Sequence, residues 1–396
     1  MEMTLEKQGS TIAATLLITG CCIGAGMIGL PIMSAAAGFI PSTLAMILCY
    51  FFATSTGLLI LEITLWFDQK VNLLSMANFA LGKTGKVITW SLFLFLFYCL
   101  FVAYIDGSGQ IITNMLSNAM QHPISREVGI LCSVSFVGVI VYGGTRFVSS
   151  VSRIFLFGLS CSYITLLSLG FSHVKQDKLL YMNFEAAIST IPILLVCFGY
   201  QNLIPTLTYY VRKNIKALRT AIYVGNLIPF VIYLLWNFVI LGMLPETNSI
   251  EFTQMSSQNN MVTELLEKAS ESDSVIFFAK IFSFLAIITP FIANTMAFVD
   301  FLKDGLKISK KYQYEFFIYG LVLIPPTVLT IFYPHLFLKA LGFAGGFADV
   351  ILFGVLPVSI VWIGRYIKNI KGPYTVAGGK SFLITILFLS IGFLLI

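Results

Sequence analysis

Apolar residues fill this chain in long runs, and charged or turn-forming residues interrupt them at short intervals. A helix that crosses a membrane needs about 20 mostly apolar residues, because each adds about 1.5 Å of rise against a hydrocarbon layer of about 30 Å. Reading the runs between their polar boundaries predicts eleven such helices. The first five cover 10–37, 41–66, 88–116, 128–142 and 154–171. The next five cover 187–211, 221–244, 274–299, 316–332 and 341–363, and a shorter run, 382–396, ends the chain. Nothing between them is long enough for a separate domain, so one all-α polytopic membrane domain over 1–396 is expected.

Two of these runs carry residues that break helices. The first holds Gly20, Gly24, Gly26, Gly29 and Pro31. A proline cannot donate to the carbonyl four residues earlier, so Pro31 frees that of Met27 while the glycines loosen the helix around it. In lipid an unsatisfied carbonyl is costly, so a break belongs where protein or a polar cavity surrounds it. Gly20 and Gly24 alone read better as a face for close helix packing. The sixth run alters that balance, because Gly199 and Pro205 flank Gln201 and Asn202 there and Pro205 frees the carbonyl of Gln201. Five crossings separate the two breaks, so the broken helices run in opposite directions. This is the pattern of an inverted repeat, with halves at about 10–172 and 187–364 and an added helix at 381–396.

Composition supports the membrane class: 58% of residues are hydrophobic and 11% charged, with mean hydropathy +0.90. Most of the 24 Lys and Arg fall in loops on the side of the N-terminus, among them Lys70, Lys83, Lys86, Arg146, Arg153, Arg212, Lys213, Arg365 and Lys368. The opposite loops hold Arg126, Lys175, Lys178, Lys268, Lys280 and Lys339. By the positive-inside rule the N-terminus is cytoplasmic and the C-terminus outside. The net charge of +6 follows from topology and calls for no nucleic-acid partner. The acidic stretch 245–273 reads as a solvated outer connector, with cation guidance as its second reading.

The seven cysteines lie in apolar runs without metal-binding spacing and read as small buried fillers. The opening MEMTLEKQGS is a poor signal-peptide start, so the first helix is expected to stay in place. His122, His173 and His335 are far apart, and no GxSxG, HExxH or P-loop pattern occurs. No catalytic residue, metal or cofactor is expected, and the chain reads as a carrier rather than an enzyme. A channel or receptor would have no use for two opposed broken helices. A monomer or loose oligomer in the bilayer is the expected state.

The stretches "GCCIGAGMIGLPIMSAAAGF" (from Gly20) and "CFGYQNLIPTL" (from Cys197) resemble the first- and sixth-helix motifs of the hydroxy and aromatic amino acid permease family, within the amino acid–polyamine–organocation superfamily. The match is nearest to its bacterial tyrosine and tryptophan permeases. That resemblance implies the five-plus-five inverted repeat of the leucine transporter, with helices 1 and 6 discontinuous. It also implies proton-coupled import through the bacterial inner membrane.

A physical reading of the site follows from the breaks. The backbone at Gly24, Ala25, Gly26 and Met27 offers amides at the positive end of a half-helix, which suits a carboxylate. The backbone carbonyls of Cys197, Phe198 and Gly199, with Tyr200, Gln201 and Asn202 near, suit the ammonium of the same amino acid. Candidates for a side-chain pocket are Phe198, Tyr200, Phe101 and Phe291, joined by Tyr98 and Tyr104, although aromatics at helical spacing also serve packing. Such a pocket takes tyrosine or tryptophan; a narrower one takes serine, threonine or another neutral amino acid. For proton coupling the intramembrane candidates are Asp106 and Asp349, since Glu62 and Asp300 lie near helix ends where pairing or solvent suits them. Sodium is the alternative ion, with Thr289, Asn294 and Thr295 on the eighth helix, where Pro290 frees the carbonyl of Ala286.

Overall fold

The computed structural model describes residues 10–243, 273–306 and 315–396, which are helices and their connections with no strand among them. The acidic connector at 245–272 lies outside the described residues. Among the described residues, seven helical stretches are long and apolar enough to cross a membrane, and a pair bent by 57° at a short break makes an eighth if it is one span. That pair is α1 (Thr11–Cys22) and α2 (Gly26–Ala37), followed by α3 (Phe39–Leu65), α4 (Leu73–Met120), α5 (Arg126–Tyr142) and α6 (Gly144–Phe171). Two short helices, α7 (Gln176–Leu179) and α8 (Phe184–Ile188), lead to α9 (Ile191–Cys197), α10 (Ile204–Tyr210) and α11 (Ile215–Met243). Then come α12 (Asp273–Gly305), α13 (Glu315–Phe332), α14 (Phe337–Phe343), a π-helical run (Ala344–Val355), α15 (Leu356–Trp362) and α16 (Gly379–Leu394).

Local sequence sets several boundaries. Ser10 caps α1 by accepting the Ala13 amide at 3.0 Å, and Asn72 caps α4 by accepting that of Ser75 at 2.9 Å. Gly38 turns the chain from α2 into α3 at φ +88°, a conformation that other residues avoid. At Gly82 (φ +70°) α4 kinks, so the expected helix 88–116 belongs to a longer element whose first turns point elsewhere. The expected start of the fifth helix at 154 is corrected to Gly144, because no breaker follows Gly144 and Ser150 bonds back to the Arg146 carbonyl at 3.1 Å. Arg146 and Arg153 therefore stand on a helix rather than in a loop.

Two of the buried carboxylates serve as ties between helices. Glu62 on α3 receives both Nε (2.7 Å) and Nη2 of Arg365, and its Oε2 also takes the Val376 amide at 2.8 Å. Asp106 on α4 receives Arg126 Nη2 at 2.6 Å and the amide of Phe337 at 2.8 Å, while the same Nη2 reaches the Thr330 carbonyl at 2.9 Å. The segment running from α14 through α15 is thus anchored near both of its ends. Asp300 is exposed. Removing one partner of a buried pair leaves the other charge uncompensated at about 3–5 kcal/mol. Glu62→Gln is accordingly expected to lower the melting temperature in detergent sharply; an unchanged value would mean the pair does not hold these helices together.

Candidate functional site

Three residues, Ile23, Gly24 and Ala25, separate α1 from α2. The amides of Met27 and Ile28 turn back to the Gly24 and Ala25 carbonyls, each at 3.0 Å, so the helix resumes at Gly26 and the break is narrower than the glycine spacing suggests. The start of α2 has no side-chain cap. Among the described residues, the Gly24 and Ala25 amides donate to nothing in the protein. A helix start of this kind holds unpaired donors and a positive dipole end, which together suit an anion. Pro31 does free the Met27 carbonyl, and Trp236 fills the gap by donating its indole N–H at 3.0 Å.

The second break runs from Phe198 to Leu203, between α9 and α10. Pro205 lies in the first turn of α10, where a missing amide costs little. The Gln201 carbonyl that it was expected to free accepts the Ile204 amide instead. At the end of α9 the Val196 carbonyl takes the Gly199 amide, and the Phe198 carbonyl, expected to be free, takes that of Tyr200, each at 3.1 Å, so among the described residues the Cys197 and Gly199 carbonyls are those left without a backbone donor. Tyr233 on α11 lies with its hydroxyl 2.6 Å from the Cys22 carbonyl and 3.3 Å from that of Cys197, so one side chain serves both broken helices.

The breaks touch each other. A Cβ on Gly26 would stand 2.7 Å from Cys197 Sγ, and one on Gly24 would stand 3.6 Å from Pro290 of α12. Cys21 Sγ lies 3.6 Å from the Gly199 carbonyl, and a Cβ on Gly199 would stand 3.7 Å from Asp349 Oδ2. Asp349 sits in the π-helical run, whose wide turns commonly mark functional positions. It lies within electrostatic range of the Tyr104 hydroxyl and the Cys21 and Cys99 thiols. Asn294 Nδ2 donates to Tyr104 Oη at 2.9 Å, joining α12 to α4 beside this point.

The aromatic candidates divide into two groups. Phe101, Tyr104 and Phe291 pack as a buried box, with ring centroids 5.4–6.2 Å apart, on the Asn294 side of the breaks. Phe198 packs edge-on against Tyr50 and Tyr233, and Tyr200 sends its hydroxyl to the Ala53 carbonyl at 3.1 Å, so both rings point toward α3 and α11. Gln201 also faces α3, 3.4 Å from Thr56 Oγ1, and its own Oε1 is buried without a partner. Asn202 is exposed. Of the α12 hydroxyls, Thr295 bonds the Phe291 carbonyl at 2.7 Å, whereas Thr289 Oγ1 is buried and unpartnered.

Access comes from one side. Leu17, Gly20 and Cys21 on α1, Asn202 and Thr206 at α10, and Ala293, Ala297 and Asp300 on α12 are exposed, and of these Cys21 and Asn202 stand at the breaks themselves. A Cβ on Gly20 would meet nothing within 4 Å. On the other side Met27, Ile28, Ile193 and Phe291 are fully buried, and α2 packs against α3, α8, α9, α11 and α12, whereas α1 packs chiefly on α11. The cleft therefore opens toward the N-terminal end of α1. Cys21, Tyr233 and Trp236 are the participants that sequence reasoning missed; no local pattern distinguishes them from packing residues.

The chain matches the tryptophan/tyrosine permease family over residues 7–396. It is 31% identical over 97% of its length to the tyrosine-specific transport system 1 of Haemophilus influenzae, covering 95% of that protein. The tyrosine-specific transport system 2 of the same organism is 27% identical over 98% of the chain and 96% of its own length. Its tryptophan-specific transport protein is 27% identical over 96% and 93%. A match across the whole length, together with two helix breaks meeting inside a multi-pass helical bundle, places this chain in the tryptophan/tyrosine permease family, a family of membrane transport proteins and not of enzymes.

Proposed function

We propose that this protein is a secondary active importer of aromatic amino acids, tyrosine or tryptophan, across the bacterial inner membrane, coupled to protons by symport and working by alternating access. On this reading the chain crosses the membrane eleven times as two inverted five-helix halves plus α16, with the N-terminus cytoplasmic. The observation that carries it is the meeting of the uncapped start of α2 with the α9–α10 break at Gly26 and Cys197, beside the carboxylate of Asp349. The amides at Gly24 and Ala25 hold the substrate carboxylate, and carbonyl groups around Gly199 hold its ammonium. The box of Phe101, Tyr104 and Phe291 receives the ring. The tyrosine- and tryptophan-specific transport of the relatives supports an aromatic substrate. With the N-terminus inside, the cleft beside α1 is the cytoplasmic exit, and the structure represents an inward-open state.

The test is uptake of labelled tyrosine, tryptophan and serine by purified protein in liposomes, with an inward proton or sodium gradient imposed separately. Proton-driven accumulation of an aromatic amino acid is the expected result. Sodium-driven accumulation would move coupling to Thr289, Asn294 and Thr295, and uptake of serine alone would assign the aromatic box to packing.

A further inference from the structure

One face of α6 has no part in the transport reading. Arg146, Ser150, Arg153, Phe157, Ser160 and Ile164 recur at intervals of three and four residues, which places them in a single stripe, and all are exposed. Its first half carries two overlapping surface hollows, both lined by Ser150 and Arg153 and containing no carboxylate. Among the described residues, the Arg146 guanidinium has no protein partner, and Arg153 makes only long contacts to Ser149 and Ser150, at 3.3 and 3.5 Å. Two guanidinium groups with adjacent hydroxyls offer the planar donor sets that bind phosphate oxygens.

The second half of the stripe opens into a crevice of about 260 Å³ between α6, α11 and α12. Leu156, Ser160 and Ile164 form its mouth, Ile232 and Phe282 its wall, and Ile23, within the first break, and Met27, just after it, its inner end. From Arg153 to Ile164 the helix rises about 16 Å, within the reach of one fatty acyl chain. The cationic end and the apolar end are thus continuous and spaced as the two parts of a lipid.

We infer that α6 binds one anionic phospholipid, its headgroup phosphate on Arg146 and Arg153 and one acyl chain in the crevice that ends at Ile23 and Met27. Charge complementarity at one end and the apolar lining at the other select an anionic diacyl lipid over either a free phosphate or a zwitterionic lipid. The site is independent of which substrate is carried, so its test uses no uptake assay.

The experiment is native mass spectrometry of the purified full chain titrated with dioleoylphosphatidylglycerol or dioleoylphosphatidylcholine. One retained phosphatidylglycerol is expected, with phosphatidylcholine at least tenfold weaker. The double variant Arg146→Gln/Arg153→Gln and the crevice-filling Ser160→Trp should each lose it at least tenfold. Lys83→Gln/Lys86→Gln, which removes another exposed basic pair, should retain it, and sn-glycerol 3-phosphate should not displace it. Equal binding of phosphatidylcholine, equal loss in the lysine variant, displacement by glycerol 3-phosphate, or no effect of Ser160→Trp would each overturn the assignment.

Discussion

Asp349→Asn is expected to abolish proton-driven accumulation while leaving exchange of labelled for unlabelled substrate intact. Among the described residues three buried carboxylates compete for the coupling role, Glu62, Asp106 and Asp349. Glu62 is held by Arg365 and Asp106 by Arg126, so neither is available to bind and release a proton without breaking a tie between helices. Asp349 has no ion pair or hydrogen bond among the described residues, and it lies against Gly199 at the second break. When ionised there it has no countercharge, so protonation and the state of the break are expected to depend on each other. A gradient of one pH unit with one proton per substrate supplies about 1.4 kcal/mol, or tenfold accumulation. The variant should bring that ratio to about one, and tenfold accumulation in liposomes despite the substitution would remove Asp349 from the mechanism. Asp106→Asn should instead lower the melting temperature.

Gly26→Val should reduce transport at least about a hundredfold without preventing membrane insertion. The Cβ alone would stand 2.7 Å from Cys197 Sγ and 3.6 Å from the Cys197 amide, so the larger side chain pushes the first break off the second. The two breaks bring their backbone groups to one place only if this contact is kept. Gly26→Ala therefore should be impaired less than Gly26→Val, and adding Cys197→Ala to it should restore a substantial part of uptake by removing the sulfur. Wild-type uptake by Gly26→Val, with the protein present in the membrane at normal level, would place the substrate elsewhere.

The predicted site was readable in the sequence to different depths. Both breaks fall beside glycines that interrupt apolar runs, because backbone freedom is a property of the residue itself, whereas Pro31 lies inside α2 and Pro205 in the first turn of α10. The identity of the group that answers each freed carbonyl was not readable: Trp236 and Tyr233 lie far along the chain from Met27 and Cys22. Phe198 and Tyr200 stood out by adjacency to the break, yet a break abolishes the helical period that would tell which way a side chain points, and both face α3 and α11. Cys21 read as a filler, since exposure inside a cleft depends on what neighbouring helices leave uncovered.

What the sequence determined by itself is the membrane class, the positions of most helices and the location of the two breaks, all consequences of hydrocarbon solvation and local backbone chemistry. The tertiary structure alone decided which carboxylate goes unpaired, since Asp106 and Asp349 look alike in their apolar surroundings until Arg126 is brought to one of them from another helix. It also decided that the cleft opens beside α1, because burial is fixed by helices packing across long sequence separations.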